Sequence, residues 1–262
     1  MHAELEKEIL LFFACAFLGW VLEVSCKAVQ FRRFINRGFL IGPYCPIYGC
    51  GAVLIGRLLS RFDGRPAVVF ALAMAVCGVL EYLTSYAMEK LFHARWWDYS
   101  HRRFNLNGRV CANTLIPFGL MGLLLVYGVR PAFFALLDRL PGAWRGGLCA
   151  ALCGVLLVDA AVSTSVLGKI RHTANLSHGD DTESITRAVR EKLLAGGGLV
   201  RRTMHAFPHA KLYSDRLLAE MKAQRRRLKA EAKRRKAALR REIDSRERKI
   251  RQGVRRFRDG GR

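Results

Sequence analysis

Glu23, Glu81 and Asp159 are carboxylates set inside long apolar runs of a 262-residue chain. A charged side chain near a bilayer centre costs about 2.5–3.5 kcal/mol on insertion scales, so such groups face a bundle interior, a partner or a water-filled path. Glu23 precedes Lys27 by four residues, which places both on one helix face and offsets part of that cost. Asp159 stands just before Ser163, Thr164 and Ser165. The densest polar stretch follows Glu81: Trp96 and Trp97 lead into Asp98, Tyr99, Asn105, Asn107 and Arg109. Adjacent tryptophans beside helix ends suit a membrane interface, where a ring is half dry and half wet. An interfacial belt has no use for Asn105, Asn107 and Arg109 together, so an ordered binding loop is the competing reading. A guanidinium can meet a carboxylate with two hydrogen bonds, which makes Arg109 the expected counter-charge of Asp98 or Glu81. This set can either line a path for a polar solute or clamp helices together.

Several chemistries have no support. The chain has no GxxxxGK[ST], so ATP hydrolysis by a P-loop would need another subunit. Neither HExxH nor GxSxG occurs, and no catalytic residue or enzyme activity is expected. Eight cysteines lie mostly in or beside the apolar runs, and Cys45/Cys50 and Cys149/Cys153 lack partner pairs at zinc-like spacing. They read as reduced core residues; no metal and no cofactor is expected.

The elements that must position the carboxylates follow from hydropathy. Composition is 51% hydrophobic with a formal charge of +23, and the two properties separate along the chain. Residues 1–172 hold the apolar runs, and residues 173–262 form a basic tail with 21 Lys/Arg against 7 Asp/Glu from Lys211 onward. Residues 9–29 match the roughly 20 needed to cross about 30 Å of hydrocarbon. Their acidic start (Glu4, Glu6, Glu8) and length argue for a retained helix over a signal peptide. Gly42–Pro43 and Cys45–Pro46 forbid one regular helix through residues 31–59, since proline removes a donor and clashes with the preceding turn. An extended or broken entry into a short Gly-rich helix is expected there, with its backbone buried in protein or facing water. Further spans are expected at 66–88, 111–129 and 144–170. The fold class is therefore all-α: a polytopic transmembrane helix bundle of about five spans, the second broken, with a basic helical C-terminal tail. With five crossings, basic residues in the first and third loops and the tail place those parts in the cytoplasm; if the broken segment re-enters instead of crossing, the count drops to four and the N-terminus moves inside.

In the tail, residues 184–194 carry a helical pattern, and from Leu217 apolar residues recur every eleven: Leu217, Leu228, Leu239, Ile250. That period keeps a stripe nearly straight along a helix and allows coiled-coil self-association. Anionic lipid headgroups are the favoured partner, ahead of self-association or another protein. Nucleic acid comes last, because no aromatic platform is interleaved with the basic residues.

The segments FINRGFLIGPYCPIYGCGA, LEYLTSYAMEKLFHARWWDYS and FNLNGRVC resemble, in that order, the bacterial ABC-transporter permeases of the CmpB type. The likeness covers residues 8 to 130 well, with a weaker echo to Lys211. It implies a multi-pass protein of the bacterial plasma membrane, the permease component of a transporter, with a separate ATPase subunit as partner. Carried over position by position, its motif residues are Asn36, Gly38, Pro43, Tyr44, Pro46, Tyr48, Glu81, Trp96, Trp97, Asp98, Asn105, Asn107 and Arg109. The alternative is a non-transporting membrane scaffold whose tail binds anionic lipid or a partner.

Overall fold

The computed structural model describes residues 2–176 except Arg33, Arg37, Phe39 and His93, then 198–206, 211–214 and short helical stretches between 219 and 236. Residues 1–214 form one compact unit and 215–262 a second. The pattern at 184–194 and most of the eleven-residue repeat lie outside the described residues. Of that repeat, Leu228 is described, helical and exposed.

The described residues of the first unit are mostly helical. Helices α1 (His2–Phe31) and α2 (Pro46–Leu59) are followed by a short 3-10 turn and by α3 (Pro66–Phe92). After a loop containing the short strands β1 (Ala94–Arg95), β2 (Asn105–Leu106) and β3 (Val110–Cys111) come α4 (Ala112–Leu124) and α5 (Arg130–Asp138), joined by a π turn, then α6 (Gly142–Leu176). The unit closes with α7 (Gly198–Ala206) and β4 (Lys211–Leu212). Four stretches are long and apolar enough to cross a membrane: His2–Gln30, Pro66–Phe92, Ala112–Asp138 and Gly142–Val166. The first three extend past the runs expected from hydropathy because the helices continue beyond them.

The second expected span is the broken one. Cys45 N–H donates to the Ala16 carbonyl at 2.9 Å, so α2 begins against the middle of α1. It then runs back along α1: a Cβ on Gly49 would stand 2.5 Å from the Phe12 carbonyl oxygen, and Arg57 lies 3.5 Å from Glu8. Fourteen residues make about 21 Å of helix, too short for a full crossing. The non-helical chain before it covers the other half of α1, tied by Trp20 Nε1 donating to Asn36 Oδ1 at 2.7 Å. Pro46 sits in the first turn, where its missing N–H leaves nothing unsatisfied.

Between α4 and α5 the helix widens over Leu125–Val129, with Arg130 N–H reaching back to Leu125 O. Pro131 explains the widening: its ring would collide with the carbonyl four residues earlier, and a π turn moves that carbonyl away. Where α1, α2, α3 and α4 converge, Leu11, Ile55, Leu59, Val69, Ala73 and Leu125 form a buried core. At the end of the bundle where α1 begins, Glu8 accepts from Arg130 at 2.9 Å, Lys7 meets Asp138 at 2.6 Å and Arg145 approaches Glu6 at 3.6 Å. The acidic start of α1 is thus the hub that joins α2, α5 and α6.

A Cβ on Gly122 would overlap that of Ala73, which sets the approach of α4 to α3. Gly122→Val should force the helices apart and destabilise the bundle by about 1–3 kcal/mol, as overpacking does. Thermal unfolding of the detergent-solubilised protein checks this; an unchanged midpoint would show that the contact is loose.

Candidate functional site

The polar residues gather toward the end of the bundle where α1 ends, in two groups. The first lies among α1, α2, α3 and the α3–α4 loop. Glu23 of α1 accepts the Tyr48 hydroxyl at 2.9 Å. Glu81, buried on α3, accepts the Tyr99 hydroxyl at 3.3 Å and the Thr114 hydroxyl at 3.5 Å. Glu23 is within electrostatic reach of Glu81, and Tyr99 within reach of both. Gly19 makes the arrangement possible, because a Cβ there would overlap the Tyr48 ring. Two carboxylates and two tyrosines from four segments therefore form one polar seam.

The α3–α4 loop is held from both ends. Strands β2 and β3 form a hairpin around Asn107 and Gly108, both at positive φ (54° and 67°), with Arg109 N–H donating to Leu106 O at 3.0 Å. Asn-Gly is the dipeptide that adopts such a turn with least strain. Gly108 is needed for a second reason: a Cβ there would stand 2.6 Å from Asp98 Oδ1. Asn105 caps the hairpin, donating to Arg102 O at 2.6 Å and accepting from Gly108 N–H at 2.9 Å. Asn107 donates to the Tyr82 hydroxyl at 3.0 Å, which ties the turn to α3. Trp96 is only 5% exposed, and Trp97 donates its indole N–H to Arg109 O at 3.0 Å. The tryptophans are thus turned into the loop they stabilise and do not form an outward belt.

Arg109 does not take the partner expected for it. Its guanidinium meets Glu89 at 3.0 Å and the Ser85 hydroxyl at 3.1 Å. Glu81, Ser85 and Glu89 follow at four-residue steps, one above another on α3. Arg109 lies beside the last two, while Glu81 is a turn deeper and is taken by hydroxyl donors. Glu89 also receives Arg95 at 2.9 Å. Asp98 instead pairs with Lys211 at 2.6 Å and accepts the Ser100 N–H at 3.0 Å. Partial burial raises the Asp98 pKa, but the Lys211 ammonium and the Ser100 donors outweigh it and hold the carboxyl down at about 2. The same return of the chain pairs β4 with β1, Lys211 opposite Arg95.

The second group surrounds Asp159 on α6. Its carboxylate accepts Ile41 N–H at 2.8 Å, Gly42 N–H at 2.7 Å, the Tyr44 hydroxyl at 2.5 Å and the Ser163 hydroxyl at 2.8 Å. Arg202 of α7 donates to the carbonyls of Leu40 and Ile41 at 2.8 and 3.2 Å. The broken segment is thereby stitched to α6 on one side and to α7 on the other. Asn36 stays apart from both groups, on Trp20. Among the described residues no cluster of His, Cys, Asp and Glu could hold a metal ion, and none of the eight cysteines forms a disulfide.

Glu89, Thr114, Arg202 and Lys211 complete these groups and were not singled out from sequence. The four-residue ladder from Glu81 could have signalled Glu89. No local pattern could have signalled Arg202 or Lys211, whose partners lie more than a hundred residues away.

Four long apolar helices, buried carboxylates turned inward and a broken segment satisfied by protein define a multi-pass helical membrane protein. Residues 10–164 match the family described as putative ABC-transporter type IV, and the chain belongs to it. No curated protein and no solved structure matches the chain.

The compositional boundary at 172/173 and the packing boundary at 214/215 differ because α7 and β4 belong to the bundle. Asp98→Asn should release β4 and speed tryptic cleavage at Lys211. The ratio of mutant to wild-type cleavage should be the same at pH 7 and pH 5: the carboxyl is held below its usual value, so the bridge contributes fully above about pH 4 and is lost only as the pH falls towards 2. Equal cleavage of mutant and wild type would mean that Lys211 does not hold the strand.

Proposed function

We propose that this chain is the permease-type membrane subunit of an ABC-type assembly, with the Glu23–Tyr48–Tyr99–Glu81 seam as the polar part of a solute path closed in the described conformation. The observation that carries the reading is the second carboxylate. A clamp between α3 and the loop requires only Glu81, whereas Glu23 within electrostatic reach raises the cost of burying both. A path for a cationic or proton-bearing solute has a use for two. With no P-loop in the sequence, ATP hydrolysis falls to a separate subunit, and the chain itself has no catalytic role. The family's bacterial setting and the basic tail favour a plasma-membrane location with residues 93–111 and the tail in the cytoplasm. The tail then faces anionic headgroups, or pairs with itself.

One observation favours the second reading, a membrane scaffold. Each of the three carboxylates already has donors, and two grooves of about 510 and 620 Å³ beside Tyr44 are lined almost wholly by apolar residues. Purifying the full-length tagged protein from native membranes in mild detergent separates the readings. A P-loop ATPase recovered in stoichiometric amount is the expected result, and its repeated absence would leave the scaffold.

Glu81→Gln tests the seam, since it keeps size and hydrogen bonding while removing charge. The variant should accumulate and insert like wild type but lose at least tenfold in solute-stimulated ATP hydrolysis by the co-purified assembly. Failure to accumulate would assign Glu81 to helix clamping.

A further inference from the structure

We infer that the tip of the α3–α4 loop is a bilayer anchor that selects anionic phospholipid. Phe104 is 85% exposed and Leu106 60% exposed, on a loop that is otherwise tightly tied. The exposure is built into the backbone. Phe104 holds φ at 55°, a left-handed conformation disfavoured for a bulky residue. It is kept there by its carbonyl accepting Ala112 N–H at 3.2 Å and by Asn105 gripping Arg102 O at 2.6 Å. A strained residue maintained with its ring in the open points to a function for that ring.

Position and charge identify what the ring meets. Phe104 is bonded to the first residue of α4, a helix that starts a membrane-crossing stretch, so the tip stands level with the end of the apolar bundle. Rings at that level lie at the boundary between headgroups and acyl chains. Trp96 and Trp97 are turned inward, which leaves Phe104 and Leu106 as the apolar groups this loop offers to lipid. His101, Arg102 and Arg103 are exposed just before them. Among the described residues neither arginine has an ion pair, while the loop's own carboxylate, Asp98, is taken by Lys211 and Arg95. Apolar side chains flanked by uncompensated guanidiniums match a lipid phosphate above an acyl chain. Arginine stems can lie along the apolar surface while their heads reach the phosphates.

The test places p-benzoylphenylalanine at Phe104, which preserves the ring, in the full-length protein. The protein is reconstituted into phosphatidylcholine vesicles containing phosphatidylglycerol, illuminated and analysed by mass spectrometry. We expect phospholipid adducts in which phosphatidylglycerol exceeds its bulk share several-fold, and we expect R102Q/R103Q to bring that excess down to the bulk share without reducing reconstitution. Adducts in bulk proportion, an excess that survives R102Q/R103Q, or no lipid adduct would each overturn the inference. Illumination in native membranes supplies the second arm: an adduct to a protein in place of lipid would assign the tip to a protein partner and overturn it equally.

Discussion

The constraint on which the rest of the bundle depends is that lipid offers no hydrogen bonds to a peptide backbone. Between Phe31 and Pro46 the described residues form no helix and run along one that is long enough to span the apolar layer, so their donors and acceptors must be met by protein. Ala16 supplies a carbonyl, Asp159 accepts two successive N–H groups, and Arg202 donates to two carbonyls. These contacts explain features that otherwise look unrelated. They account for a carboxylate deep in α6, for a short helix that begins halfway along α1, and for a segment from beyond residue 176 folding back onto the bundle. Each unmet group would cost several kcal/mol, far more than the roughly 0.5–1.5 kcal/mol net of an ordinary hydrogen bond.

That accounting separates Asp159 from Glu81, both buried, and from the half-buried Glu23. Asp159 has four protein donors, two from backbone, and its charge is spent on holding the broken segment. Glu81 has two hydroxyl donors at 3.3 and 3.5 Å, long for charge-assisted bonds, and a second carboxylate is within electrostatic reach. A fully satisfied carboxylate gains little by meeting a solute. A loosely satisfied one beside a like charge gains much from a proton or a cation. The asymmetry sets Asp159, which holds the broken segment, apart from Glu81, which holds only hydroxyls.

What the sequence made legible was local or compositional. Gly42–Pro43 and Cys45–Pro46 announced the break because proline acts on its own turn, and the apolar runs announced the long helices because hydropathy needs no partner. Asn107 was visible as polar chemistry, yet its larger meaning, with Gly108 after it, was a turn. Arg109 was recognisable as a guanidinium in search of a carboxylate. Which carboxylate it found depended on depth along α3, and depth is set by how far the loop reaches down, a property of the folded hairpin. Likewise the tryptophan pair had the composition of a belt, but the Arg109 carbonyl beneath Trp97 exists only once β2 and β3 have paired. Arg202 and Lys211 were illegible because helix and strand periodicities encode neighbours three or four residues apart, and these contacts join residues 162 and 113 apart.

Both ends of the bundle are fastened by a largely buried arginine–glutamate pair, and this bears on which contacts can be released. Where α1 begins, Glu8 is buried against Arg130, and Gly56 lets that arginine cross α2, since a Cβ there would stand 2.8 Å from its Cδ. Leaving a buried partner of such a pair uncompensated costs about 3–5 kcal/mol. Where α1 ends, the hairpin is held on α3 by Tyr99 to Glu81, Asn107 to Tyr82 and Arg109 to Ser85 and Glu89, and the exposed Lys211 bridges it to β4. The Arg109–Glu89 pair is buried much as Glu8–Arg130 is, so breaking it carries a similar cost, whereas exchanging the half-exposed Lys211 bridge for water costs only about 0–1 kcal/mol. The cheapest contact to release at this end is therefore the β4 bridge, and the hairpin stays fixed on α3 while Arg109 and Glu89 remain paired.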